Sequence, residues 1–300
     1  MKILLTGGNG QVGWELVRAL LPLGEIIAAK RSQTDLADLD GLRRSVQKYS
    51  ADVIVNAAAY TAVDKAETEQ DLAFLINAEA PGVLAEEAKK SGALLIHYST
   101  DYVFDGTKIS AYMEDDVPNP VNIYGQSKLA GEQAIQASGV DYVILRTSWV
   151  YAARGHNFLK SILRLAAERE QLNIIADQLG SPTWARLIAE TTAHILRQSL
   201  LERREGGFNS GLYHLTSAGE TSWHGFARMI VDVAKQQQNQ TVKSRIINPI
   251  PTTDYPLPAK RPANSRLATG RLEQHFGLKM PAWDDALKLC MADIADSVHH

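Results

Sequence analysis

The strongest constraint on this chain lies in its first thirteen residues. An apolar run, Ile3–Leu5, leads directly into Thr6-Gly7-Gly8-Asn9-Gly10-Gln11-Val12-Gly13, and a helical pattern then continues from Val12 to Leu21. Glycines at 7, 10 and 13 remove side chains where the chain turns and where a pyrophosphate would approach the backbone. The helix start beyond them offers unpaired N–H groups and the positive end of its dipole. Glycine turns join many strands to many helices. Placement at the first strand–helix junction of an alternating chain is what points to a dinucleotide.

The alternation carries on through the first half. Strands are expected at Ile3–Leu5, Glu25–Ala29, Val53–Asn56, Leu94–Ser99 and Tyr142–Arg146, with helices near Val12–Leu21, Leu39–Tyr49, Leu72–Lys90 and Tyr124–Ala137. Short apolar strands separated by longer helical stretches build a parallel sheet covered on both faces. The expected fold is therefore α/β, a doubly wound parallel sheet of Rossmann type. Residues 1–150 form its dinucleotide-binding domain, with segments returning from the second half, and residues 151–300 form mainly a smaller C-terminal substrate lobe. Helices are expected there near Phe158–Glu168, Thr183–Arg197, Ser222–Ala234 and Ala282–Ser297. Five prolines between Asn248 and Pro262 predict an ordered loop, and Gln236–Gln240 reads as a polar surface loop. The residues just after Leu5, Val55, Ser99 and Arg146 should line the ligand crevice.

Composition removes several classes of function. Lys+Arg of 31 against Asp+Glu of 34 is too balanced for a nucleic-acid or anionic-membrane surface. No run approaches the ~20 apolar residues of a membrane span, and the first apolar run is too short for a secretion signal. The single cysteine, Cys290, cannot form an intrachain disulfide and reads as a packed thiol, which suits the cytoplasm. Eight histidines without HExxH or similar spacing give no catalytic metal.

Chemistry concentrates at three places. Tyr124 and Lys128 stand four apart at the start of a helical stretch, so phenol and ammonium share a face. A free phenol titrates near ~10, and an adjacent ammonium is expected to lower it towards the operating pH. Thr100 closes the fourth strand, where its hydroxyl would hold a carbonyl oxygen. After the second strand come Lys30, Arg31 and Ser32, with no carboxylate until Asp35. Cations in that position suit the 2′-phosphate of NADPH, and NADH stays open.

The GxxGxxG spacing resembles the extended branch of the short-chain dehydrogenase/reductase superfamily. Longer strings narrow the resemblance: Val53 to Glu67, Tyr98 to Gly106, Asn122 to Glu132, Arg146 to Tyr151, Asp177 to Thr183 and Arg261 to Leu267 are similar to the dTDP-4-dehydrorhamnose reductases, across nearly the whole chain. That resemblance implies reduction of the 4-keto group of dTDP-4-dehydro-β-L-rhamnose. It assigns catalysis to Thr100, Tyr124 and Lys128, and sugar contacts to Thr100, Asp101 and Trp149. Cofactor contacts fall on Gly7, Gly10, Gln11, Val12, Gly13, Lys30, Arg31, Asp35, Leu36, Ala59, Tyr60 and Thr61, with Tyr124 and Lys128 serving both. Arg261 and Arg266 are candidates for the diphosphate. Some relatives are magnesium-linked dimers; here Glu15 is present but Arg186 stands where an acidic ligand aligns, so no Mg²⁺ is expected and the chain is read as a monomer or homodimer. Two alternatives stay open: a non-catalytic, dinucleotide-binding regulatory subunit, and a reductase of a related nucleotide 4-keto sugar. Dehydratases of the superfamily carry Asp-Glu after the catalytic hydroxyl, where this chain has Asp101-Tyr102.

Overall fold

The computed structural model describes residues 1–237 and 241–296. From the first half come β1 (Lys2–Thr6), β2 (Glu25–Ala28), β3 (Val53–Asn56), β4 (Leu94–Thr100) and β5 (Tyr142–Thr147), with helices α1 (Gln11–Ala19), α2 (Leu39–Tyr49), α3 (Val63–Ala66), α4 (Gln70–Phe74), α5 (Ala80–Ser91) and α6 (Ile123–Ser138). The second half adds β6 (Val150–Tyr151), β7 (Gln171–Ile175), β8 (Leu179–Gly180), β9 (Thr183–Trp184), β10 (Gly211–His214), β11 (Thr221–Ser222) and β12 (Ile246–Ile250). Its helices are α7 (Phe158–Glu168), α8 (Ala185–Glu205), α9 (Trp223–Gln236), α10 (Gly270–Phe276) and α11 (Trp283–Asp296).

Six strands form one sheet in the order β10-β5-β4-β3-β1-β2, every neighbouring pair parallel. Both faces are covered, which is why β3 and β4 are buried at every residue and read as unbroken runs. Ile3, Leu5, Val53, Val55, Ile96 and Leu145 pack beneath α1 and α8. Leu4, Ile54, Leu95 and Ile144 pack on the other face with residues of α2 and α5. Each such side chain contributes about 1.5–3 kcal/mol when fully buried. The chain leaves β1 towards β2 and then crosses back to β3, so the loops after β1 and β3 part and open a crevice between them.

The second half returns β10 to the free edge of β5 and lays α8 along α1. A separate core, with Tyr151, Trp184, Phe226, Leu287 and Cys290 at its centre, lies among α7, α9 and α11. Cys290 is fully buried. Among the described residues no helix is long and apolar enough to cross a membrane.

Three elements depart from expectation. The helix expected over Leu72–Lys90 contains a π-helical turn at Leu75–Glu79 between α4 and α5. Pro81 has no N–H to close on the carbonyl four residues back, that of Asn77, and Asn77 instead turns its side chain inward. The proline-rich stretch begins as a strand: β12 pairs in parallel with β7, Pro249 opposite Ile174. A two-stranded ribbon leaves one side of each strand unpaired, and a proline is accommodated there. Helix α8 starts two residues later than expected and runs on to Glu205. Of the loop expected at Gln236–Gln240, residues 238–240 lie outside the described residues, as does Ser297 at the end of the last helix.

Candidate active site

The glycine turn is packed too tightly for other residues. Gly7 has φ +71°, and a β-carbon there would sit 2.7 Å from Ala57 at the end of β3. A β-carbon on Gly13 would lie 2.0 Å from the Gly7 carbonyl oxygen. Gly10 caps α1 without any side chain, so the first N–H groups of the helix, at Gln11 and Val12, are left to a ligand. This cradle suits a dinucleotide pyrophosphate. Asn157, from the second half, donates to Gln11 Oε1 at 2.8 Å and brings the loop 152–157 against the turn.

Around the cradle the expected residues take different parts. Lys30 lines a 240 Å³ cleft with Gly8, Asn9, Trp14, Arg18 and Ala29. Arg31 points outwards and pairs with Asp35 at 3.6 Å. Asp35 Oδ1 accepts from the Ala37 N–H, and Leu36 is buried in the core beneath. Ala59, Tyr60 and Thr61 follow β3; Asn77 clamps Tyr60, accepting from its N–H at 2.8 Å and donating to its carbonyl at 3.0 Å. Sequence reasoning missed Asn77, Arg18 and Arg154. Both arginines lie over the Trp14 ring, at 3.7 and 3.6 Å from its centroid. Arg18, one turn after Trp14 in the same helix, was legible; Arg154 comes from a distant loop and was not.

Thr100 ends β4, and its Oγ1 donates to Asp101 Oδ1 at 3.1 Å while accepting from the Tyr102 N–H at 3.2 Å. Tyr124 is set by the start of α6. Asn122 caps Gly125 N–H at 2.8 Å, Glu67 accepts from Ile123 N–H at 2.9 Å, and Asn122 Nδ2 reaches the Lys260 carbonyl at 2.7 Å. Any side chain at 125 would meet the Tyr102 carbonyl at 2.1 Å, so the glycine lets the helix approach the strand end. Burial pushes the Tyr124 phenol up to about 12, and its hydrogen bond with Thr100 pulls it back. The lowering expected from Lys128 is not seen. Its ammonium is turned to the Tyr98 carbonyl at 2.6 Å and His97 Nε2 at 3.2 Å, and burial brings it down to about 8.

Asp101 is buried, and its Oδ2 has no hydrogen-bond partner among the described residues. Burial raises its pKa from 3.8 to about 6, against hydrogen bonds from Ser265 and Thr100. Below 3.8 the group is protonated in both states; between 3.8 and about 6 the folded state alone holds the proton, and above that the full cost of a buried charge is present. That cost is about 3 kcal/mol at 1.36 kcal/mol per pH unit. Asp101→Asn is therefore expected to be more stable than the parent in urea above pH 6, with the difference closing towards pH 4. An equal difference at pH 4 and pH 8 would contradict this origin.

Trp149 adopts φ +48°, a conformation that bulky residues rarely hold and that adds strain of about 1–2 kcal/mol. Its ring stacks on Trp223 at 3.6 Å with planes 10° apart. Trp223, which sequence reasoning missed, lines a 600 Å³ groove with Phe158, Leu165, Ile174, Tyr255 and Arg261. Arg261 is held there by Asp64 at 2.9 Å. Arg266 is elsewhere: its guanidinium binds Asn264 at 2.8 Å, Glu220 at 2.7 Å and the Ile109 carbonyl at 2.6 Å, tying loops together outside the groove lining. Arg186 lies between Glu15 at 3.3 Å and Asp293 at 2.7 Å. Those carboxylates are already neutralised by a guanidinium and do not fit a divalent cation.

A parallel sheet with a glycine cradle at its switch point, and Thr100, Tyr124 and Lys128 gathered at the ends of β4 and α6, define a dinucleotide-dependent oxidoreductase of the extended short-chain dehydrogenase/reductase kind. Residues 1–295 match the family described as RmlD substrate binding domain, and the chain belongs to that family. A dTDP-4-dehydrorhamnose reductase of Burkholderia thailandensis is 54% identical over 296 residues, covering 98% of this chain and 99% of the relative. One from Escherichia coli K12 is 46% identical, covering 98% of each. Among solved structures, the dTDP-4-dehydrorhamnose reductase of Bacillus anthracis in complex with NADP superposes with a TM-score of 0.89 at 35% identity, covering 97% of this chain and 99% of that one.

Proposed function

We propose that this chain reduces the 4-keto group of dTDP-4-dehydro-β-L-rhamnose to dTDP-β-L-rhamnose with NADPH. The observation that carries the reading is that Tyr124, hydrogen-bonded to Thr100, and Lys128, held on the Tyr98 carbonyl, lie at one end of the sheet that also bears the open glycine cradle. NADPH supplies the hydride. Thr100 holds the keto oxygen by a hydrogen bond, and Tyr124 gives its proton to that oxygen as charge develops on it. Lys128, its nitrogen held on the Tyr98 carbonyl at 2.6 Å, brings its charge to the same strand end without touching the phenol. Asp101, whose Oδ2 lacks a partner, takes a sugar hydroxyl, and Trp149 packs on the sugar face. The aromatic groove beside Trp223 receives the nucleotide, with Arg261 on the diphosphate. Gly7, Gly10, Gln11, Val12 and Gly13 take the pyrophosphate, and Lys30 the 2′-phosphate. Residues 1–150, completed by β10 and α8, serve the cofactor, while the remainder of 151–300 mainly serves the sugar nucleotide. The enzyme works in the cytoplasm, as a monomer or a homodimer.

The test is spectrophotometric. The keto sugar is generated in place from dTDP-glucose by the upstream dehydratase and epimerase, this chain is added, and reduced-nicotinamide absorbance is followed. Loss is expected only in the complete mixture, and faster with NADPH than with NADH. Consumption of neither cofactor would refute the assignment.

A further inference from the structure

His97 interrupts an otherwise apolar part of β4, and nothing in the proposed chemistry accounts for it. It is fully buried, as are Thr6, Asn56 and Lys128, and these four side chains form one line across three strands and the catalytic helix. The Thr6 hydroxyl donates to Asn56 Oδ1 at 2.6 Å. Asn56 Nδ2 lies 3.0 Å from His97 Nδ1, and His97 Nε2 lies 3.2 Å from Lys128 Nζ.

Proton positions in this line follow from its far end. With Oδ1 taken by Thr6, the Asn56 amide presents an N–H to His97 Nδ1, which must accept. A neutral imidazole carries one proton, so it resides on Nε2 and points at the lysine nitrogen. Burial and the nearby Lys128 charge hold the imidazole well below its ordinary range, which keeps it neutral. An N–H aimed at an ammonium opposes it. An amine accommodates it, accepting from Nε2–H while still donating to the Tyr98 carbonyl at 2.6 Å.

We propose that His97 is a positioning residue that acidifies Lys128: the Thr6–Asn56 pair fixes its tautomer, and its Nε2–H favours the lysine amine over the ammonium. The effect runs in the same direction as burial. The other charged or titratable groups around Lys128 are Glu132 one turn on in α6, itself bound to Arg146 of β5, Tyr124 one turn back, and Asp101 after β4. The π-helical turn packed across α6 brings Asn77 to Ser127. Of these, Glu132 pulls the lysine upwards against burial, and the His97 N–H adds to the downward push. A lysine that changes charge near the working pH lets the charge beside Tyr124 follow the proton that Tyr124 gives and regains.

This rests on Lys128 being the lysine of the catalytic pair, and the experiment separates the two claims. In His97→Leu, which removes the N–H, the alkaline limb of the kcat/KM profile for the keto sugar is expected to move up by about half a pH unit or more. Asn56→Asp is isosteric and leaves Thr6 its acceptor, but its second oxygen can only accept, so the imidazole proton moves to Nδ1 and donates to it. Nε2 then becomes an acceptor for the ammonium, and the limb again moves up. A purely structural role predicts lost activity or a lower melting temperature with the limb in place. A limb that stays or falls in Asn56→Asp overturns the proposal, including when His97→Leu fails to fold. If Lys128→Met keeps more than a tenth of the parent kcat, the catalytic assignment fails, and the role of His97 fails with it.

Discussion

Tyr124→Phe is expected to lower kcat about a thousandfold while NADPH affinity stays within about twofold. General-acid groups contribute about 10²–10⁴-fold, and a factor of a thousand is about 4 kcal/mol in the barrier. The substitution removes one oxygen from a ring whose position is set by the α6 start, through Asn122, Glu67 and the glycine contact at 125. None of those anchors involves the phenol oxygen, so the ring stays in place, edge-on to Tyr102 with centroids 5.6 Å apart. The glycine cradle is untouched. Steady-state kinetics with a fluorescence titration of NADPH separates the two quantities. A variant keeping a tenth of kcat would remove Tyr124 as the proton donor, and equal losses in kcat and cofactor affinity would make it a binding residue.

The second large effect concerns stability. Arg146 of β5 and Glu132 of α6 form a two-pronged ion pair, 2.8 and 2.6 Å, with both side chains almost fully buried. Arg146 sits in register between Ser99 of β4 and His214 of β10, in the interior of the sheet, with Phe104 at 5.0 Å from its guanidinium. Removing one partner of such a pair strands the other charge and destabilises by about 3–5 kcal/mol. Glu132→Ala is expected to show that loss in urea unfolding. The double variant Glu132→Leu with Arg146→Met should recover most of it, because two apolar side chains leave no buried charge behind. A single variant that melts like the parent would mean that water reaches the pair. Glu132 stands one turn beyond Lys128, so the double variant is also expected to fold well and still lose activity.

What could be read from the sequence follows from how local its cause is. Strands β1, β3, β4 and β5 were legible because burial on both faces leaves apolar runs bounded by turns, edge strand β2 from its short apolar run alone, and the glycine cradle because its spacing lies within thirteen residues. The π-helical turn was not, since it depends on Pro81 freeing a carbonyl that meets α6 fifty residues later. The short pairs β6–β9, β8–β11 and β7–β12 are long-range and carry no period of their own. At the site, Tyr124, Lys128 and Thr100 stood out by spacing. The reach of Lys128 did not: a helix face predicts that two side chains are neighbours, yet the lysine nitrogen turns to the Tyr98 carbonyl and the His97 ring on β4. His97 was visible as one polar residue in an apolar strand, and only the three-dimensional line to Asn56 and Thr6 gives it a meaning. Arg266 shared the family string with Arg261, but its guanidinium is spent on loop contacts.

The most direct test of the central claim follows the hydride itself. NADPH carrying deuterium on the transferred position is supplied with the enzymatically generated keto sugar, and the product is analysed by mass and NMR. Reduction at the 4-keto group predicts dTDP-rhamnose with one deuterium, located at carbon 4 of the sugar. A product unlabelled at that carbon, or label found at another position, would contradict the account.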